Sequence, residues 1–126
     1  RHYTQDEVDQ AKSHASVDVL LLHDAPRGVA IPKKSDGGYV SKAEGLDVAV
    51  SSIRPRVCFF GHHHTRVTAT IGGVPCLGLN IVGRPGYLVG VEIPVRGREW
   101  SLLGEWPEPG APFRPVWPSS LPAPMD

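Results

Sequence analysis

The chain has 126 residues, with 13 Lys plus Arg and 13 Asp plus Glu, and this length suffices for one domain with a core of its own. The balanced charge excludes a global attraction to nucleic acid or membrane surfaces, so nucleic-acid binding is possible but is not indicated by charge. Because no apolar run approaches the roughly 20 residues that span a bilayer, and residues 1–10 lack the apolar core of a signal peptide, no membrane partner and a cytoplasmic location are expected.

The first predicted element is a helix at the N-terminal end. The chain starts at Arg1 rather than Met, which suggests a piece of a longer protein, although removal of a tag leaves such an end too. Thr4 and Glu7 match the capping box, in which the hydroxyl and the carboxylate each accept a hydrogen bond from a free backbone amide. Residues 5–15 then continue without Pro or Gly, which predicts a helix. The apolar run at residues 17–22 then predicts a strand buried on both faces, which ends at His23.

A loop, a helix and a second strand follow. Residues 24–40 are rich in Gly, Pro, Lys and Asp and predict a loop. Ser41 and Glu44 repeat the capping-box pattern before a second helix, which should end near Pro55, because the residue before proline avoids the α region. Residues 56–60 predict another short buried strand, so the first half of the chain resembles a βαβ unit.

The second half predicts β-hairpins. Two strand-like runs flank Gly72 and Gly73, and a further pair of runs covers residues 87–95 and 99–106. Cys58 and Cys76 each lie inside an apolar run without CxxC spacing, which favours buried free thiols over a disulfide or a zinc knuckle. Proline is excluded from the interiors of helices and sheets and favours an extended chain. We therefore divide the chain into a domain at residues 1–105 and a proline-rich extended tail at residues 106–126.

Histidines follow both predicted buried strands. In an extended chain, residues two apart face the same side at a Cα separation of roughly 6.5–7 Å, so His62 and His64 should face one way and His63 the other. His23 ends the other strand, and neighbouring parallel strands bring their carboxyl ends to one edge, where ligands bind. A lone histidine at a strand end is more often a surface residue, but this combination predicts a metal site formed by His23, His62 and His64.

The strings VDVLLLHDAPRG, RPRVCFFGHHHT and LNIVGRPGYLVGVEI together resemble the C-terminal half of the calcineurin-like metallophosphoesterases over roughly residues 1–95. The opening RHYTQDEVDQ followed by HDAPRG looks most like relatives of the RNA lariat debranching enzymes. The resemblance implies the α/β class, as the C-terminal half of a four-layer α/β/β/α sandwich with two helices, two buried strands and then β-hairpins. It also implies two divalent metal ions (Mn, Fe or Zn), with His23 and His62 on one ion and His64 on the other.

The same resemblance shows what this chain lacks. It has no Asp-x-His and no Asn-His pair, and its only asparagine is Asn80, so the bridging carboxylate and the leaving-group acid of the family would come from an N-terminal half. A phosphate ester is the implied substrate, hydrolysed as a monoester or diester by the assembled protein, while the chain alone is expected to be inactive. The alternative hypothesis is a non-catalytic scaffold or binding module with at most one structural metal ion.

Three further residues have candidate roles near the metal site. Asp24 is a candidate hydrogen-bond acceptor that fixes an imidazole tautomer, the alternative being a solvated loop carboxylate. Arg27 is a candidate phosphate donor from the same loop, the alternative being an ordinary surface arginine. His63 occupies the variable position of the Gly-His-x-His element, where a substrate-facing role and a surface role are equally open.

Overall fold

The computed structural model describes residues 4–12, 17–33, 37–81, 84, 87–92, 100–106 and 120–121. The first helix, α1, spans Gln5–Lys12. At its start the Glu7 amide donates to the Thr4 hydroxyl (3.1 Å), and the Thr4 amide donates to the Glu7 carboxylate (3.4 Å). The predicted capping box is therefore confirmed, while the last predicted residues of this helix, 13–15, lie outside the described residues.

The second helix, α2, spans Leu46–Ile53, and its start differs from the prediction. The Ser41 hydroxyl donates to the Ala25 carbonyl at 2.7 Å and so does not cap the helix. Instead Gly45 precedes α2 with a φ of 91°, a left-handed conformation that glycine adopts at little cost. The capping box predicted at Ser41 and Glu44 is wrong because buried Ser41 satisfies a carbonyl of the preceding loop.

The end of α2 agrees with the prediction. Arg54 has a φ of 54°, and its amide donates to the Val50 carbonyl at 2.9 Å. A left-handed residue with this kind of bond terminates a helix, and Pro55 follows immediately. The chain then turns directly into the next strand.

Four strands form the central sheet, in the order β1-β4-β6-β5. They span Val19–Leu22 (β1), Val57–Phe60 (β4), Val67–Ile71 (β5) and Val74–Gly78 (β6). β1 and β6 both pair with β4 in parallel, and β5 pairs with β6 in antiparallel fashion across Gly72 and Gly73. The parallel neighbours β1 and β4 and the Gly-Gly hairpin confirm the sequence predictions, whereas the parallel contact of β6 with β4 was not predicted.

The two outer positions of this sheet differ in burial from the inner ones. All of β6, and β4 apart from half-buried Phe59, is buried. β1 has only one neighbouring strand in the described part of the chain, and its Leu21 is 73% exposed. The prediction that β1 is buried on both faces is therefore wrong.

The two cysteines lie opposite each other in the sheet core. Cys58 on β4 and Cys76 on β6 are register partners, both have 0% exposure, and neither is in a disulfide. The prediction of buried free thiols is confirmed.

The segment predicted as a loop contains a short pair of strands. β2 (Ala30–Ile31) pairs in antiparallel fashion with β3 (Tyr39–Val40). Val29 and Ile31 are 2% and 1% exposed, so this segment contributes apolar side chains to the core. The loop prediction is wrong here. Gly, Pro and Lys dominate the composition of the segment, but two apolar residues, Val29 and Ile31, are enough to bury part of it.

A second hairpin follows the central sheet. β7 (Leu88–Glu92) pairs with β8 (Trp100–Trp106), which confirms the predicted hairpin, and β8 pairs with β9 (Ser120–Leu121). Most of the predicted tail at residues 106–126 lies outside the described residues, so the division of the chain stays a prediction. The chain is a small mixed α/β domain with two described helices, and neither is long and apolar enough to cross a membrane.

Candidate metal centre

The candidate centre lies where β1 and β4 end. The two strands are in register up to Leu22 and Phe60, and the Gly61 amide donates to the His23 carbonyl at 3.1 Å. His23 and His62 therefore leave the same edge of the sheet side by side. This confirms the prediction that the parallel strands bring their terminal histidines together.

His23 and His62 are in direct contact. His23 Nε2 lies 3.0 Å from His62 Nδ1, and the ring centroids are 4.7 Å apart at 57°. A hydrogen bond between these atoms requires a proton on one nitrogen and a lone pair on the other. Two imidazole nitrogens on one tetrahedral zinc ion are about 3.3–3.4 Å apart, so a small ring movement would let both bind one ion.

Asp24, His63 and Tyr39 form a second hydrogen-bonded group. His63 Nε2 lies 2.6 Å from Asp24 Oδ1, and His63 Nδ1 is hydrogen-bonded to the Tyr39 hydroxyl. An ionised carboxylate only accepts hydrogen bonds, so Nε2 carries the proton, and in the neutral ring Nδ1 accepts from the Tyr39 hydroxyl. The side chain of His63 is 8% exposed and that of Asp24 is 28% exposed, which partly shields this charge-assisted bond from water.

The histidine triplet does not continue the strand. His62 and His64 have φ values of 66° and 54°, so the strand-like alternation assumed from the sequence is wrong. His62 and His64 nevertheless line the same cavity, while His63 contacts Asp24 and Tyr39. The surface role considered for His63 is wrong, because only 8% of its side chain is exposed.

The left-handed turn brings a carboxylate into the cluster. Ligand atoms of Asp24, His62 and His63 all lie within 4.8 Å of one another, so these three side chains could hold a metal ion. One carboxylate oxygen and two imidazole nitrogens suit zinc, and both ligand types also occur with manganese and iron. His23 adjoins this cluster through His62, whereas exposed His64 faces the cavity.

The structure also places the weaker candidates and one residue that the sequence did not indicate. Arg27 lies on the surface, with its side chain 59% exposed and its Nη1 3.9 Å from Glu44 Oε1. Tyr39 was missed because it lies on a strand of two residues inside the predicted loop. Asp24, predicted only to orient an imidazole, does bond to one, but the imidazole is that of His63.

A cavity of about 410 Å³ opens beside the histidines. Its walls come from the ends of β1 and β4 and from the segment after β6. The crevice outside the carboxyl ends of parallel strands is the usual ligand site of such sheets. A ligand in this cavity would contact His62 and His64 directly.

Comparison with family profiles, with curated proteins and with solved structures gave no match to this chain.

Proposed function

We propose that this chain is the C-terminal half of a metal-dependent phosphoesterase, which hydrolyses a phosphomonoester or phosphodiester after assembly with an N-terminal half. The observation that carries the proposal is the cluster of Asp24, His62 and His63 at the carboxyl edge of the sheet, with His23 in contact with His62. Nitrogen and oxygen donors at this edge, beside a cavity, are what a hydrolytic metal site requires.

Bound divalent ions would supply a hydroxide near neutral pH and stabilise the charge that develops on the phosphoryl oxygens. His23 and His62 would share one ion, as their nitrogen separation of 3.0 Å favours. Asp24 and Tyr39 hold the His63 ring in one orientation through hydrogen bonds to both of its nitrogens, and an ion held by Asp24 and His63 would replace the bond between them. His64, exposed at the cavity, would bind the second ion of the proposed dinuclear site.

The proposed N-terminal half fits the open side of the sheet. β1 is an outer strand of the described sheet, so a strand of the N-terminal half could pair with its outer edge. A complete four-layer sandwich would bury this edge. A cytoplasmic location belongs to the same proposal and is supported by the two free thiols.

The second candidate function is a non-catalytic scaffold or binding module with at most one structural metal ion. The observation that favours it is that Asp24 is the one carboxylate in the described cluster, whereas two closely spaced ions usually share bridging oxygen donors. Metal stoichiometry separates the two functions.

The deciding experiment measures metal content and hydrolysis together. The chain would be purified alone and with the segment encoded upstream of Arg1, analysed for Mn, Fe and Zn, and assayed with p-nitrophenyl phosphate and bis-p-nitrophenyl phosphate. Two ions per assembled unit with hydrolysis support the phosphoesterase, and one ion without hydrolysis supports the scaffold. Absence of bound metal in both forms would contradict the phosphoesterase.

Histidine variants assign the ligands in the same assay. His62 belongs both to the cluster of the structure and to the ligand set implied by the resemblance, so His62→Ala should reduce the metal content in either case. His63→Ala tests the cluster of the structure, and His64→Ala tests the set implied by the resemblance. Glu44→Ala is the control, because the Glu44 side chain is 80% exposed and is not one of the candidate ligands, and it should retain full metal content.

A further inference from the structure

The cavity beside the histidines is lined by three polar side chains and otherwise by apolar ones. Seven of the lining side chains are aliphatic or aromatic, among them Leu21, Phe59, Ile81 and Tyr87. The polar side chains are those of His62, His64 and Asn80. A ligand held there would place a charged group at the histidines and an apolar group against the walls.

The lack of charged residues among the described cavity walls restricts the class of ligand that fits. Among the described residues that line the cavity there is no Lys, Arg, Asp or Glu. Several phosphates in a row would find no cationic partner along these walls, and a polyhydroxylated sugar would find few hydrogen-bond partners. A single phosphate attached to an apolar group matches the distribution of polar atoms.

The volume of the cavity limits the size of the organic group that the phosphate can carry. Its volume of about 410 Å³ lies within the range of small-molecule sites, about 300–1,000 Å³. An apolar cavity of about 150 Å³ is enough to bind benzene. A bicyclic aromatic ring therefore fits the walls and leaves space for a phosphate at the histidines.

We infer that this cavity binds the aromatic ring of the substrate, so that the preferred substrates are phosphate esters of aromatic compounds. The inference rests on the proposed phosphoesterase function and adds the substrate class to it. Half-buried Phe59 and Tyr87 provide ring surfaces for stacking, and such contacts favour aromatic over aliphatic groups of similar area. His62 and His64 define where the phosphate lies.

The test compares three phosphate esters that differ only in their organic group. Dissociation constants of methyl, phenyl and 1-naphthyl phosphate would be measured by calorimetry on the full chain with Mn²⁺. Because each added ring buries more apolar surface, phenyl phosphate should bind about tenfold more tightly than methyl phosphate, and 1-naphthyl phosphate about tenfold more tightly again. Equal dissociation constants for the three esters would overturn the inference.

Two exposed wall residues allow variants that leave the core intact. Leu21 and Ile81 line the cavity and are 73% and 45% exposed, so Leu21→Ser and Ile81→Ser should fold normally. Each should weaken the binding of 1-naphthyl phosphate about three- to tenfold and the binding of methyl phosphate much less. Val48→Ser is the matched control, because Val48 is 47% exposed on α2 and does not line the cavity.

The outcomes separate this inference from the proposed function. If metal binds and esters are hydrolysed, but the ring size and the two wall variants change nothing, the substrate class is wrong and the phosphoesterase stands. If none of the esters binds or is hydrolysed by the assembled protein, both proposals fail. Both proposals are supported if Leu21→Ser and Ile81→Ser selectively weaken the binding of 1-naphthyl phosphate and Val48→Ser does not change it.

Discussion

Asp24→Asn tests the cluster most directly, because this carboxylate joins the backbone to an imidazole. Asp24 Oδ1 accepts the Ala25 amide at 2.7 Å and faces His63 Nε2 at 2.6 Å. Asparagine has nearly the same shape and retains one acceptor oxygen, so the substitution removes the charge and leaves the packing intact. Any change therefore reports on the charge of this carboxylate.

The expected loss of stability follows from the two hydrogen bonds. Hydrogen bonds to charged groups contribute about 1.5–3 kcal/mol, whereas neutral ones contribute about 0.5–1.5 kcal/mol. Since the Asp24 side chain is 28% exposed, water screens part of the difference, and we expect a loss of about 1 kcal/mol in the free energy of unfolding. Urea unfolding followed by circular dichroism measures it as a lower midpoint with an unchanged slope.

Metal affinity should change more than stability. Loss of a residue that merely orients a ligand costs about 10–100-fold in metal affinity, and Asp24 is itself one of three candidate donors. We expect Asp24→Asn to weaken zinc binding at least tenfold, as measured by competition with a chelating dye.

Glu44→Gln is the matched control for Asp24→Asn. The Glu44 side chain is 80% exposed, and its carboxylate lies 3.9 Å from Arg27 Nη1. Exposed ion pairs contribute about 0–1 kcal/mol, so this control should change stability little and zinc binding not at all. If Asp24→Asn behaves like Glu44→Gln in both measurements, the cluster does not bind metal through Asp24.

Three further predictions test the fold around the site. Thr4→Ala removes the confirmed cap of α1 and should lower the free energy of unfolding by about 1 kcal/mol in urea titrations. Gly78→Ala should cost about 1–3 kcal/mol in the same titrations, because an added Cβ would lie 2.5 Å from Val67 Cγ1 and 2.6 Å from Phe60 Cε2. The thiol of Cys58 should react with iodoacetamide at pH 8 only after unfolding, as followed by mass spectrometry, because a hydrogen bond to the neighbouring thiol and burial both raise its pKa.

Each of these predictions has its own control. Thr4→Ser keeps the hydroxyl and should retain most of the stability that Thr4→Ala loses. Gly61→Ala should be tolerated, since an added Cβ there meets no atom within 4 Å, and equal costs at both glycines would contradict the packing argument. Cys58 should be labelled fully in concentrated urea, and rapid labelling of the folded chain would show that β4 and β6 do not bury it.

Local residue patterns were sufficient for several elements of this protein. The cap of α1 could be predicted because Thr4 and Glu7 are close in sequence. Their two reciprocal hydrogen bonds do not depend on contacts with distant segments. The hairpin at Gly72 and Gly73 is similarly local, since glycine adopts the positive φ values of 55° and 82° found there. The meeting of His23 and His62 could also be predicted, because it requires only two parallel neighbouring strands of matching length.

Tertiary structure decided the composition of the cluster. Asp24 and His63 are 39 positions apart, and their contact depends on the left-handed backbone of His62, which no sequence pattern indicates for a non-glycine residue. Tyr39 reaches His63 because β2 and β3 fold the intervening segment back onto the core.

The sequence alone determined which strands carry the histidines, since that depends on apolar runs and their ends. Only the tertiary structure determined which side chains surround them, because contacts between distant segments depend on how the segments pack and on the exact turn that each strand makes as it ends. The same reason explains β1: its apolar run is compatible with burial on both faces, but which face is covered depends on how other segments pack, and Leu21 is 73% exposed.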